Sequence, residues 1–167
     1  MNKRPNYNSK EVSKLAAEML LPKVIQWLKD DGDDRAEEER DQILDDLIGS
    51  MEYESDGFRI AEQLKSNHYW EPDARLVDIL DGNHKHDAHK DLVRKWVKEN
   101  DIKPGLNLES KVTVNVKGKT VNGVISRIDY DTAQYTVFCE SLGHVREGVG
   151  THGIIFPYEE VLEAAND

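Results

Sequence analysis

The stretch ENDIKPGLNLESK, residues 99–111, separates two kinds of sequence pattern. Before it, apolar residues recur at the three- and four-residue spacing of helices; after it, they alternate with polar residues at the two-residue spacing of strands. Pro104 and Gly105 in its middle are typical of a connection between folded segments. The sequence therefore predicts an α+β chain, with an acidic helical domain over residues 1–105 and a small β-barrel domain over residues 106–167.

Five segments of the first part are predicted to form a helical bundle. The first opens at Asn8, with Glu11 three residues later as in a capping box, and Pro22 is expected to end or kink it. The second, AEEERDQILDDLIGSM, turns five apolar residues to one side, namely Ile43, Leu44, Leu47, Ile48 and Met51. The other three helices are predicted over SDGFRIAEQLKS, EPDARLVDILDGN and HDAHKDLVRKWVKEN.

Short strands are predicted in the second part, over KVTVNVKG, KTVNGVISRIDYD and AQYTVFCE, and IIFPYEEVLEA follows as a strand that ends in a helical turn. Gly123 is expected to form a bulge or bend. This order resembles the SH3-like barrels that include KOW and Tudor-type modules, over residues 108–163. The resemblance implies an architecture, since proteins of one fold carry many functions.

Negative charge is concentrated between Asp30 and Asp56. This window holds thirteen Asp and Glu against two Arg, a local net charge of −11 that equals the net charge of the whole chain. Such a balance makes direct binding to nucleic acid or to an anionic membrane unfavourable and indicates a basic protein surface as partner. The candidate partner-binding residues are Asp33, Asp34, Glu37, Glu38, Asp41, Asp45, Asp46, Glu52 and Glu54. The alternative is a solvated helix face whose first acids are favoured by the helix dipole.

No sequence feature indicates catalysis. The chain has neither a phosphate-binding loop nor a nucleophile elbow, its single cysteine, Cys139, alternates with apolar residues as a small core side chain, and no cofactor is expected. No segment reaches the length of a membrane span, so a cytoplasmic location is expected. A small, acidic chain of this kind resembles the phage-encoded anti-restriction and anti-CRISPR proteins. That resemblance implies an inhibitor, in some cases a DNA mimic, of a host nucleic-acid-binding protein or nuclease complex.

Two other functions stay open. The barrel could be a nucleic-acid- or peptide-binding adaptor, with Tyr130 and Tyr135 as ligand contacts and with four basic residues: Lys111, Lys117, Lys119 and Arg127. A metal-dependent hydrolase would use His84, His86 and His89, which are weak metal candidates because no second ligand pair stands at a recognisable spacing. A further candidate recognition pocket consists of the aromatic residues of the sequence, namely Tyr69, Trp70, Tyr130, Tyr135, Phe156 and Tyr158.

Overall fold

The computed structural model describes residues 3–33, 36–52, 54, 56–142 and 153–164. Within these residues five helices precede five strands, which confirms the α+β prediction. The helices are α1 (Lys10–Asp30), α2 (Arg40–Met51), α3 (Gly57–His68), α4 (Ala74–Leu80) and α5 (His84–Glu99). The strands are β1 (Lys111–Val116), β2 (Lys119–Asp129), β3 (Gln134–Phe138), β4 (Ile154–Pro157) and β5 (Leu162–Glu163).

The chain divides into two compact units, and the division lies inside α5. The first unit is Lys3–Leu92 and the second continues from Val93. The sequence predicts the boundary later, at Pro104 and Gly105. It falls earlier because the last turns of α5 belong to the second unit, where Val93 and Val97 pack with Ala133.

Helix α1 begins one residue later than predicted and is longer than predicted. Its N-cap is Ser9, whose Oγ accepts a hydrogen bond from Val12 N at 3.4 Å, so Asn8 is not the cap. The helix also continues through Pro22 to Asp30. Proline removes one backbone hydrogen bond, but buried residues on both sides of it, such as Leu21 and Val24, favour an uninterrupted helix.

The core of the first unit is apolar and drawn from all five helices. In α2, Ile43, Leu47 and Met51 are buried and Leu44 and Ile48 pack against them, as their spacing predicts. Burying a side chain of this size stabilises a fold by about 1.5–3 kcal/mol. The packing of this face thus fixes which residues of α2 reach solvent.

The second unit is an antiparallel sheet with the strand order β4-β3-β2-β1-β5. A two-residue turn joins β1 to β2, where Lys117 and Gly118 have φ of 51° and 81°, as a tight hairpin requires. A one-turn 3₁₀ helix, Tyr158–Glu160, precedes β5. This arrangement is compatible with a small barrel-like domain.

Gly123 does not carry the bulge that the sequence predicts. The register of β2 against β3 shifts between Ile125 and Arg127 instead. Glycine is required at position 123 because β3 lies close to it. A Cβ there would lie 2.6 Å from Val137 Cγ1 and 2.7 Å from the carbonyl oxygen of Phe138. Glycine therefore lets β2 and β3 pack closely at this point.

Candidate functional site

The acidic run from Asp30 to Asp56 does not form one uniform surface. Of the nine predicted partner-binding residues, Asp34 lies outside the described residues and Asp33 is half-buried. The other seven fall into four groups, which differ in burial and in the cations that surround them.

Asp46 is buried and belongs to the interior of the first unit. Its side chain is 9% exposed, and its Oδ1 accepts a hydrogen bond from Gln42 Nε2 at 2.7 Å and lies 2.9 Å from His68 Nδ1. Its Oδ2 accepts a hydrogen bond from Trp70 Nε1 at 2.9 Å. The carboxylate of Asp46 is thus directed at three side chains of its own unit, and its contact with a partner stays a prediction.

The indole rings behind Asp46 extend this network. Trp70 is stacked on Trp27, with ring centroids 6.3 Å apart and an interplanar angle of 7°. Trp27 Nε1 donates to Asp73 Oδ1 at 3.0 Å, and the same oxygen caps α4 by accepting from Leu76 N at 2.8 Å. The N–H groups of both indole rings are thus paired with carboxylates.

The C-terminal end of the acidic run lies beside a buried lysine. Lys85 Nζ donates to the carbonyl oxygens of Met51 and Glu52, at 3.0 Å each, and so caps the end of α2. Burial lowers the pKa of Lys85, while the charges of Glu54 and Glu52 raise it. Glu54 also lies 3.8 Å from Arg59. Neither glutamate is an isolated negative charge.

The N-terminal end of the run is joined to other helices by ion pairs. A hydrogen bond from Gln26 and the Arg75 guanidinium both lower the pKa of Asp30. Lys29 Nζ donates to Glu37 Oε1 at 2.8 Å, which lowers the pKa of Glu37. Arg40 lies 3.7 Å from the other oxygen of Glu37.

Three of the predicted residues remain as exposed negative charges: Glu38, Asp41 and Asp45. Within the part of the chain that the structure describes, none of these three side chains makes a hydrogen bond or an ion pair. Asp41 and Asp45 are one helical turn apart, a rise of about 6 Å along α2. We call Glu38, Asp41 and Asp45 the α2 acidic surface.

The two tyrosines predicted as ligand contacts of the second unit differ in exposure. Tyr135 is 1% exposed, its hydroxyl oxygen accepts a hydrogen bond from Leu106 N at 2.9 Å, and its ring lies 4.3 Å from that of Tyr158. Tyr135 therefore belongs to the core of the second unit, and its role as a ligand contact stays a prediction. Tyr130 is 62% exposed at the end of β2. The four basic residues of the adaptor hypothesis are also exposed: Lys111, Lys117, Lys119 and Arg127.

The three histidines of α5 have different surroundings. His89 Nε2 lies 3.2 Å from the carbonyl oxygen of Pro5, and its ring contacts Tyr7 edge-on at 5.6 Å. His86 is exposed and His84 is half-buried. No group of three His, Cys, Asp or Glu side chains in the described ranges could hold a metal ion.

Sequence reasoning missed His68 and Lys85. Asp46 is 22 residues from His68 in the sequence, and Lys85 reaches carbonyl groups more than 30 residues away. The sequence contains one usable signal: Asp46 follows Ile43 by three residues and precedes Ser50 by four, which places it on the buried side of α2.

Comparison with protein-family models, with curated proteins and with solved structures finds no match for the chain. Among the helices of the described residues, none combines the length and the apolar composition needed to cross a bilayer.

Proposed function

We propose that this protein is a non-enzymatic regulator that binds a basic surface of a nucleic-acid-handling host protein, such as a nuclease complex, through the α2 acidic surface. One observation supports the proposal above the others. Glu38, Asp41 and Asp45 are exposed without a cationic partner among the described residues, whereas three other acids of the run, Glu37, Asp46 and Glu54, are buried or paired.

Electrostatic repulsion within the α2 acidic surface favours its binding to a basic partner. Like charges one helical turn apart repel each other and destabilise a helix by about 0.2–0.5 kcal/mol per pair. A lysine- or arginine-rich partner removes that repulsion on binding and is attracted over a distance, which raises its association rate. Surfaces that bind phosphate are rich in lysine and arginine. Glu38, Asp41 and Asp45 recur every three or four residues, and this spacing resembles a row of phosphate charges.

A second candidate function is an adaptor role for the second unit, and the exposure of Tyr130 favours it. The strand order and the 3₁₀ turn before β5 support an assignment of this unit as an SH3-like barrel. In that case Tyr130 and Arg127 would contact a peptide or nucleic acid, and the α2 acidic surface would be a solvated helix face.

The test compares two variants with equal net charge. The first, Glu38→Gln/Asp41→Asn/Asp45→Asn, removes the α2 acidic surface; the control, Glu62→Gln/Asp78→Asn/Asp87→Asn, removes three exposed acids elsewhere in the same unit. A partner is captured from host lysate with the intact protein, purified, and its affinity for each variant is measured at low and at physiological salt.

We expect the first variant to bind about tenfold more weakly, as three charge pairs of about 0.5 kcal/mol imply, and the control to bind within about twofold of wild type. An equal loss of affinity in both variants would show that binding depends on net charge alone, which would contradict the proposal. A partner whose binding is lost in Tyr130→Ala and retained in the first variant would favour the adaptor function instead.

A further inference from the structure

Tyr69 ends α3 in a conformation that its side chain disfavours. Its φ and ψ are 62° and 27°, in the left-handed region, where helix ends usually have glycine or asparagine. The other non-glycine residues with positive φ in the described ranges are polar or small: Asp101, Glu109, Lys117 and Ala133. Tyr69 is 89% exposed, so its ring gains almost nothing from packing on its own fold.

The backbone on both sides of Tyr69 is held in place. His68 and Trp70 both contact the carboxylate of Asp46, and Trp70 is also stacked on Trp27. The backbone N–H of Tyr69 donates to the carbonyl oxygen of Leu64. These contacts fix the left-handed residue between two anchored neighbours, so the tyrosine ring extends from a rigid base into solvent.

Charged side chains lie near Tyr69 both in the adjacent sequence and on α2, where His68 and Trp70 contact Asp46. Asp45 is adjacent to Asp46 on α2, and exposed Glu71 follows Tyr69 by two residues. Lys65, one helical turn before Tyr69, is the opposing base. A rigid aromatic side chain loses little entropy on binding, and its ring face attracts a cation.

We propose that Tyr69 is an anchor for an arginine side chain of the partner, whose guanidinium stacks on the tyrosine ring beside the α2 acidic surface. Arginine fits better than lysine because its planar guanidinium is weakly hydrated and stacks on aromatic faces. This inference rests on the proposed function and adds to it the chemistry that the partner must present.

The test uses two peptides as probes, hexa-arginine and hexa-lysine, which have equal formal charge. Their affinities are measured by calorimetry for wild type, Tyr69→Phe, Tyr69→Gly and the variant that lacks the α2 acidic surface. Tyr69→Gly is chosen because glycine accepts the left-handed conformation, so its unfolding midpoint is expected to equal or exceed that of wild type. Tyr69→Phe retains the ring.

We expect Tyr69→Gly to weaken hexa-arginine binding about two- to fivefold and hexa-lysine binding less, with Tyr69→Phe close to wild type. Unchanged hexa-arginine affinity in Tyr69→Gly, or an equal loss for both peptides, would overturn the anchor while leaving the proposed function in place. If removal of the α2 acidic surface has no effect on either peptide, the proposed function loses its support as well. Concentration-dependent self-association that Tyr69→Gly abolishes would assign the ring to a second copy and overturn the inference.

Discussion

At the scale of single residues, two adjacent aspartates of α2 have opposite roles. Asp45 is exposed. Asp46 is buried, accepts hydrogen bonds from the side chains of Gln42 and Trp70, and lies 2.9 Å from His68 Nδ1. A charge count treats the two residues alike. Only the helical position separates them, because every third or fourth residue returns to the buried side.

The substitution Asp46→Ala should destabilise the first unit by about 1–3 kcal/mol, since it removes the buried acceptor of the half-buried Trp70 indole N–H and of the Gln42 amide. The matched control Asp45→Ala should change stability by less than about 0.5 kcal/mol, as is usual for an exposed site without partners. Chemical denaturation measures both. Equal effects of the two variants would contradict the role assigned to Asp46.

Single residues also show how far the sequence predicts the site. The exposure of Asp41 and Asp45 follows from their positions opposite the apolar face of α2, and Glu38 lies in the turn before this helix. The burial of Tyr135 could have been predicted too, because it alternates with Val137 and Cys139 on the same side of β3. The left-handed backbone at Tyr69 could not, since it depends on contacts between α2 and the end of α3.

At the scale of elements, local rules are overruled where packing is strong. Helix α1 passes through Pro22 because apolar residues before and after it are buried in one core. Lys85, in α5, caps α2 by donating to the carbonyl groups of Met51 and Glu52. Element types were predictable from periodicity, but the pairing of one helix end with a distant side chain requires the tertiary fold.

Two ion pairs that join elements predict how stability depends on pH. Asp30 of α1 pairs with Arg75 of α4, and Glu37 pairs with Lys29 of α1. The pKa of each acid is lowered in the folded state from its ordinary value, 3.8 for Asp30 and 4.5 for Glu37. The stabilisation is therefore present above those values and is lost as the pH falls through the lower folded pKa values.

We expect the unfolding midpoint of wild type to fall more steeply with acidification below about pH 4.5 than that of Asp30→Asn/Glu37→Gln, because the variant has already lost both pairs. Thermal unfolding monitored by circular dichroism over this range measures the difference. Glu62→Gln/Asp78→Asn, which removes two exposed acids, serves as control and should follow wild type. Parallel curves for wild type and Asp30→Asn/Glu37→Gln would show that the pairs do not contribute.

At the scale of the whole molecule, the net charge of −11 is unevenly compensated. Lys29, Arg75 and Lys85 lie beside acids at the two ends of the acidic run, whereas Glu38, Asp41 and Asp45 have no cationic partner among the described residues. Self-repulsion destabilises a compact state, and salt weakens it because the Debye length decreases from about 30 Å at 0.01 M to about 8 Å at physiological ionic strength. The local density of charge should therefore matter more than its total.

Added salt should consequently raise the unfolding midpoint of wild type. The slope of the midpoint against salt concentration should show whether stability depends on the local density of charge or on the net charge. Glu38→Gln/Asp41→Asn/Asp45→Asn and Glu62→Gln/Asp78→Asn/Asp87→Asn each remove three acids and so change the net charge from −11 to about −8. The first should have the flattest salt dependence and the second an intermediate one, because only the first removes carboxylates that repel each other along α2. Superimposed curves for the two variants would mean that stability responds to net charge alone, and the α2 acidic surface would then carry no strain for a basic partner to relieve.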